Sequence, residues 1–270
     1  MKFFALIATS VSLAGETSAP SRSEMVALAG TPAPTLSIAA ASNLVYVLDE
    51  LTTAFRVVEP QVAITVATGA SGSLVAQIQN GAPFDVFLSA DLIYPQSLVD
   101  RGHANAKTLT TFATGRLVLW TTKTAIKLGS IEDVLRNRTV RRIAVANPDT
   151  APYGHAAKSV LEQLGLWNEV QPKVVLGETI TQTAQFVETG NADVGFVALS
   201  LVLSPKLKNR GQWMAVPHAL YSPVAQGAVI TRKGSRNAAA ARFLRFLHSD
   251  AAREIFIRFG YQVTDDSPNK

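Results

Sequence analysis

The sequence of 270 residues contains no cysteine and only four histidines. Without cysteine there is no disulfide framework, no thiolate metal site and no thiol for a lipid anchor. The phosphate-loop pattern G-x-x-x-x-G-K-[S/T] is also absent. The histidines stand at no spacing typical of metal ligands; they are His103, His155, His218 and His248. The composition therefore argues against a disulfide-stapled module, a structural zinc site and a P-loop enzyme.

The positive charge of the chain has no local concentration. The formal net charge is +5 and the pI is about 9.6, which by itself is compatible with nucleic-acid binding. However, Lys and Arg are scattered in short pairs such as Arg141-Arg142, and no basic run is interleaved with aromatic residues. We therefore expect an ordinary basic protein with no nucleic-acid partner.

The N-terminus has the pattern of an export signal. Lys2 is followed by about a dozen apolar or small residues, as in the n-region and h-region of a secretory signal. This run is shorter than the ~20 apolar residues that span a bilayer. Residues 15–34 are rich in Ser, Ala, Pro, Gly and Thr. We predict that residues 1–34 are a signal peptide and flexible leader, and that the protein is exported to the periplasm.

Residues 35–51 give the clearest local pattern of the chain. The segment T-L-S-I-A-A-A indicates a short buried strand, and Ser42 or Asn43 then stands where a helix N-cap is expected. The apolar residues after this turn recur on one face of a 3.6-residue period; they are Leu44, Val47, Leu48, Leu51 and Phe55. A strand followed by an amphipathic helix is predicted.

The same alternation of strand and helix continues through the chain, which predicts an α/β protein. Strand 222–230 contains Pro223, so we expect an edge or a crossover there. No long linker interrupts residues 35–263. We predict two lobes, each a mostly parallel sheet flanked by helices, with the chain crossing between them near 111–117 and 219–224. Lobe 1 comprises 35–116 and 222–270, and lobe 2 comprises 117–221.

Four strand-to-helix turns have the composition of an anion site. They are Ser42-Asn43, Ala70-Ser71-Gly72-Ser73, Pro152-Tyr153-Gly154 and Glu178-Thr179-Ile180. Ligands of open α/β sheets bind at the carboxyl ends of strands, and a helix N-terminus presents unpaired N–H groups with a partial positive charge. Glycines at 69 and 72 also permit close backbone approach to a ligand. Each turn alone is explained by helix capping, but four together favour one anion held in a cleft.

A serine hydrolase is an alternative from another functional class. The segment G-A-S-G-S around Ser71 approaches the nucleophile elbow G-x-S-x-G, and the order Ser71, Asp193, His218 is that of the α/β-hydrolases. Against this, the last elbow position is Ser73 and no H-G-G-G motif is present.

Three blocks of sequence carry a family resemblance. They are A-A-A-S-N-L, then A-T-G-A-S-G-S-L-V-A-Q-I-Q-N-G-A-P-F-D-V-F-L-S-A-D, and N-P-D-T-A-P-Y-G-H-A-A-K-S-V-L-E-Q-L-G-L-W. Together with the C-terminal A-A-R-E-I-F-I-R-F-G-Y, they resemble the molybdate-binding proteins of bacterial ABC importers over residues 35–263. The resemblance implies the two-lobed periplasmic-binding-protein type II fold, with the ligand in the interlobe cleft.

The resemblance also implies a set of ligand residues. By position, Ser42 and Ser71 are hydroxyl and amide donors of lobe 1, and Asn43 follows Ser42 as a further donor. Tyr153 and Ile180 stand where the family uses main-chain N–H groups of lobe 2. Some members have an anion-contacting Tyr where this chain has Ala198, so that hydroxyl is expected to be missing.

The implied function is capture of molybdate, and also of tungstate, for delivery to a membrane ABC permease with its ATPase. No catalysis and no cofactor are expected, molybdenum is held only as the oxyanion, and the protein is expected to be a monomer. Binding of another oxyanion, such as sulfate or thiosulfate, is the alternative within this class.

Overall fold

The computed structural model describes residues 34–263, so the predicted signal peptide and most of the leader lie outside the described residues. The described residues form two five-stranded sheets flanked by helices. The strands are β1 (Thr35–Ala41), β2 (Ala63–Gly69), β3 (Val86–Ser89), β4 (Thr110–Gly115), β5 (Leu117–Thr121), β6 (Ile143–Ala146), β7 (Val174–Gly177), β8 (Val194–Ala198), β9 (Gln212–Ala215) and β10 (Val224–Ile230).

Ten α-helices connect or cover these strands within residues 34–263. They are α1 (Val45–Val58), α2 (Ser71–Gln79), α3 (Ile93–Asp100), α4 (Ile131–Arg136), α5 (Pro152–Gln163), α6 (Trp167–Val170), α7 (Ile180–Glu188), α8 (Leu199–Val202), α9 (Ala238–Phe246) and α10 (Asp250–Arg258). None of the described helices is long and apolar enough to cross a membrane.

The two sheets have the same construction. The first has the order β2-β1-β3-β10-β4 and the second the order β7-β6-β8-β5-β9. In each, four strands point in one direction and a single strand, β10 or β5, runs against them. The sheets are therefore mixed, with the predicted parallel majority. We refer to the halves built on them as lobe 1 and lobe 2.

The chain passes between the lobes in two places. It leaves the first sheet at Gly115, at the end of β4, and enters the second at Leu117; it returns between β9 and β10. Pro223 lies just before β10, where it removes no ladder hydrogen bond. Strand β10 lies between β3 and β4, so the crossover was the correct alternative and the edge strand was not. The exact lobe boundaries stay a prediction.

Separate apolar cores hold the two lobes. In lobe 1, helices α1, α9 and α10 pack on one face of the sheet, where Phe55 and Phe243 meet edge to face with ring centroids 5.2 Å apart. In lobe 2, the fully buried Trp120 and Phe196 belong to a cluster that extends to Ala41, Ala70 and Ala90 at the strand ends of lobe 1. Apolar packing therefore reaches the floor of the cleft from both sides.

Helix α5 approaches its own sheet closely. A Cβ added to Gly154 would lie 2.2 Å from the carbonyl oxygen of Ala146, at the end of β6. A helical Gly is otherwise less stable than Ala by ~0.5–1 kcal/mol, so the residue is required by this contact. The close approach fixes the N-terminus of α5 at the carboxyl end of β6.

We predict that Gly154→Ala destabilises the protein by about 1–3 kcal/mol, because the new methyl overpacks against main chain that cannot move aside. Urea unfolding of the ligand-free protein measures this change. Gly129→Ala is the matched control, since no atom lies within 4 Å of its added Cβ and a change within ~0.5 kcal/mol is expected. Equal midpoints for the two variants would contradict the proposed contact.

Candidate functional site

All five predicted ligand residues line one small cavity between the lobes. Strands β1 and β2 of lobe 1 end at its wall, and α5 and α7 of lobe 2 begin opposite them. Its lining residues are Ala41, Ser42, Asn43, Gly69, Ala70, Ser71, Ala90, Ala151, Pro152, Tyr153 and Ile180. The cavity volume is about 10 Å³, far below the ~300–1,000 Å³ of pockets for drug-sized ligands. The cavity therefore excludes a drug-sized ligand.

Three helix N-termini point at this cavity, as predicted. Helix α2 begins at Ser71, α5 at Pro152 and α7 at Ile180. Among the described residues, no acceptor is bonded to the N–H groups of Ser71, Tyr153 or Ile180. Each helix adds a partial positive charge of ~0.5 at its N-terminus. The cavity therefore combines unpaired donors with a positive potential.

The fourth turn differs from the prediction. Residues Ser42–Leu44 form a 3₁₀ turn, α1 begins only at Val45, and the cap position is Ala41. Neither Ser42 nor Asn43 is the N-cap, because β1 continues to Ala41 and the chain turns directly into the 3₁₀ turn. No side chain caps this turn. The Ser42 hydroxyl is consequently not used for capping.

Ser71 is oriented by a hydrogen bond to its hydroxyl oxygen. Its Oγ accepts a hydrogen bond from the N–H of Ala90 at 3.2 Å, and the residue is 1% exposed. With a lone pair occupied, the hydroxyl proton is free to donate toward the cavity. The serine is thus fixed as a donor, which suits an anion.

Asn43 lines the cavity, and its side-chain amide is hydrogen-bonded to residues outside the lining. Its Nδ2 donates to Gln226 Oε1 and to Tyr261 Oη, both at 2.8 Å. The carbonyl of Asn43 accepts from Ser200 Oγ at 2.9 Å. The main-chain carbonyl of Asn43 therefore connects lobe 1 with the start of α8 in lobe 2, whereas its side chain bonds Gln226 and Tyr261.

Tyr153 and Ile180 line the cavity and are both buried. The Oη of Tyr153 lies against Gly115. Burial raises the pKa of the Tyr153 phenol well above its ordinary value, with smaller contributions from Tyr261 and Tyr221. Ile180 follows the N-cap Thr179, whose side chain accepts from the N–H of Gln182 at 3.1 Å, so the N–H of Ile180 is left unpaired.

No charged residue lines the cavity. Its described lining consists of small, apolar and neutral polar residues, and among residues 34–263 no group of three or more His, Cys, Asp or Glu could hold a metal ion. A bound anion would be held by neutral donors, each worth ~1.5–3 kcal/mol when the partner is charged.

Three hydrogen bonds join the lobes around the rim of the cavity. The N–H of Gly72 donates to the carbonyl of Thr150 at 2.9 Å. Tyr94 Oη donates to the carbonyl of Asp149 at 2.9 Å, and Thr181 Oγ1 donates to the carbonyl of Ser42 at 2.9 Å. The structure is therefore the closed form, with direct contacts from lobe to lobe.

Gly72 has a different role from the one the sequence suggested. A Cβ at this position would lie 2.8 Å from Tyr94 Oη, so the glycine makes room for the tyrosine that bridges the lobes. Its N–H donates to the carbonyl of Thr150 and is not available to a ligand.

Sequence reasoning missed Tyr94 and Thr181, because their partners are carbonyl groups of the other lobe and carbonyl groups have no sequence signature. The one available signal was the position of Thr181 directly after Ile180.

The hydrolase alternative is not supported by the geometry. The cavity lining contains neither Asp193 nor His218. The Asp193 carboxylate instead pairs with Lys123 and accepts from the N–H groups of Arg141 and Arg142 in lobe 2. Burial alone would raise the pKa of Asp193, but these donors lower it on balance. Asp193 holds loops of lobe 2 together.

Ala198 is buried at the end of β8 and does not line the cavity. Alanine has no hydroxyl group, so this position supplies none to the cavity.

Comparison with known proteins decides the family. The family model described as bacterial extracellular solute-binding protein matches residues 36–262. The chain belongs to this family.

This solute-binding protein is similar to the molybdate-binding protein ModA of Azotobacter vinelandii, with 40% identity over 229 residues, 84% of this chain and 89% of that protein. It is 42% identical to the ModA of Rhodobacter capsulatus over 198 residues, 73% of this chain and 77% of that protein. The solved structure of the Azotobacter vinelandii periplasmic molybdate-binding protein superposes with a TM-score of 0.80 at 34% identity, covering 85% of this chain and 99% of that one. The predicted two-lobed type II fold is confirmed.

We predict that Tyr94→Phe weakens oxyanion binding by about 2- to 10-fold, because one neutral hydrogen bond of ~0.5–1.5 kcal/mol is lost from the closed form only. Stopped-flow release of molybdate, the anion that the resemblance implies, should show the change mainly as a faster off-rate. The urea midpoint of the ligand-free protein serves as the control and should stay the same. An unchanged off-rate would mean that this bond does not stabilise closure.

Proposed function

We propose that the protein captures molybdate, and also tungstate, and delivers it to a membrane ABC permease with its ATPase. In this proposal it is an exported, monomeric carrier of the periplasm and has no catalytic activity or cofactor. The anion is held in the cavity by Ser42, Asn43, Ser71, Tyr153 and Ile180, and molybdenum enters only as the tetrahedral dianion.

The observation that carries the proposal is the convergence of these five residues on one cavity without a charged side chain. Toward an anion, hydroxyls and unpaired N–H groups at helix N-termini act as hydrogen-bond donors. The relatives whose names state molybdate binding span most of the chain. Together, the donor set and the relatives support an oxyanion ligand and favour molybdate among oxyanions.

In this proposal, the size of an oxyanion relative to the separation of the two cavity walls decides whether it binds. Donors fixed on two closed lobes contact all oxygens of one anion only if that anion is large enough to reach both walls. A smaller anion of the same charge leaves some N–H groups unpaired and desolvated, at a cost of ~1–3 kcal/mol for each. We infer that sulfate and phosphate are rejected in this way, with phosphate also carrying a proton that needs an acceptor.

We predict tight, saturable binding of molybdate and tungstate and no measurable binding of sulfate or phosphate. Isothermal titration calorimetry with the four anions on the protein without its leader tests this. Binding of sulfate or thiosulfate in preference to molybdate would refute the proposed ligand while leaving an oxyanion carrier in place. Failure of all four anions to bind would refute the oxyanion site itself.

We also predict that Ser71→Ala weakens molybdate binding by roughly 10- to 100-fold, since it removes one donor of ~1.5–3 kcal/mol toward a charged ligand. Titration calorimetry measures the loss. The matched control is Ser235→Ala, a substitution at an exposed serine of lobe 1 that does not line the cavity; it should leave the affinity unchanged. If both variants bind as the parent protein does, Ser71 is not a ligand.

A further inference from the structure

A buried polar cluster lies behind the cavity, where the chain crosses between the lobes. It consists of Asn43, Tyr153, Ser200, Gln226 and Tyr261, all buried. Asn43 Nδ2 donates to Gln226 and Tyr261, and Tyr261 Oη lies 3.1 Å from Ser200 Oγ. Gln226 Nε2 donates to the carbonyl of Val224 at 2.8 Å. The cluster therefore draws on both lobes and on the returning strand β10.

The hydroxyl of Tyr153 is an exception within this cluster. Its Oη is buried and forms no hydrogen bond within the described residues. Asn43 Oδ1 is likewise buried and unpaired. Most buried polar atoms of native proteins have a partner, so a tyrosine hydroxyl without one requires an explanation.

The position of this hydroxyl relates it to lobe closure. A Cβ added to Gly115 would lie 2.0 Å from Tyr153 Oη and 3.1 Å from Gln226 Nε2. Tyr153 is carried by α5 of lobe 2, whereas Gly115 and Gln226 belong to β4 and β10 of lobe 1. The phenol tip, carried by lobe 2, therefore lies against the end of β4, where the chain leaves lobe 1. Its burial thus depends on the position of lobe 1.

We propose that the Tyr153 hydroxyl opposes closure: its unpaired burial destabilises the closed form relative to the open form and so speeds release of the anion. The proposal rests on the proposed function for the identity of the ligand. An unpaired buried polar group shifts the ratio of closed to open protein by about 5- to 100-fold toward the open form. Because its pKa is raised by burial, the group stays a neutral phenol and adds no negative charge against the bound anion.

Tyr153→Phe tests this proposal, because it removes the hydroxyl and keeps both the ring and the main-chain N–H that faces the cavity. We expect molybdate affinity to rise by about 5- to 100-fold, with a slower off-rate. Tyr94→Phe is the matched control of opposite sign, since its hydroxyl is bonded across the cleft. Unchanged or weaker binding by Tyr153→Phe would overturn the proposal and identify the hydroxyl as inert or as a donor.

A second measurement needs no ligand. The chain has no cysteine, so Gln77→Cys and Gln163→Cys, at exposed positions of α2 and α5, accept a pair of distance probes without background labelling. The ligand-free Tyr153→Phe protein should show a larger closed fraction than the parent. An equal closed fraction overturns the proposal. If molybdate binds neither protein, the proposed function fails, and this distance still decides the role of Tyr153.

Gly115→Ala provides a coupled variant. Its added methyl meets the Tyr153 hydroxyl in the closed form, so it should weaken binding on its own. Combined with Tyr153→Phe, the loss should be smaller than in Gly115→Ala alone. Strictly additive effects would contradict the contact on which the proposal depends.

Discussion

The proposed site depends on one physical constraint: the bound anion would be held without a cationic side chain in the cavity lining. The strands β1, β2, β6 and β7 end near the cavity, and α2, α5 and α7 begin there. Unpaired N–H groups and helix dipoles then supply the positive potential. Their strength depends on exclusion of water, because the same dipoles are screened in an open, wet cleft. Closure of the two lobes is therefore required for strong binding, because it excludes water from the cavity.

The same dipoles explain why closure and binding are coupled. When the lobes meet, the positive ends of α2 from lobe 1 and of α5 and α7 from lobe 2 face each other across this small cavity. Without an anion between them these partial charges repel. The rim bonds of Gly72, Tyr94 and Thr181 oppose that repulsion only weakly, since neutral hydrogen bonds contribute ~0.5–1.5 kcal/mol each. In the proposed function, the bound anion supplies the remaining free energy that keeps the lobes closed.

Much of this arrangement was readable in the sequence, because it is local. Alternating apolar periods predicted the strands and helices, and small polar residues at strand ends predicted the turns at Ser71, Tyr153 and Ile180. The cap was assigned wrongly at Ser42 and Asn43, since nothing in the local pattern distinguishes a 3₁₀ turn from the first turn of an α-helix. The family resemblance, and not the spacing, indicated which oxyanion to expect.

The contacts that could not be predicted from the sequence are hydrogen bonds between residues far apart in the chain. The side chain of Asn43 turns toward Gln226 and Tyr261, which lie 183 and 218 residues further along the chain, and no local pattern specifies such partners. The hydrogen bond of Tyr94 is similarly hidden, because its acceptor is a main-chain carbonyl of the other lobe. Propensity and periodicity describe single elements, whereas these contacts exist only after both lobes have folded and closed.

A solute-binding protein has to release its ligand, and this requirement offers a physical reason for the unpaired buried atoms Tyr153 Oη and Asn43 Oδ1. If every polar group behind the cavity were paired in the closed form, as Tyr261 and Ser200 are, closure would stabilise itself without the anion. A closed, empty protein cannot admit its ligand, and a closed, loaded one releases it slowly. In our proposal, the unpaired Tyr153 hydroxyl changes the free-energy difference between the closed and open forms and not the stability of either lobe. Affinity in such a protein is therefore limited by the hinge as well as by the donors that contact the anion.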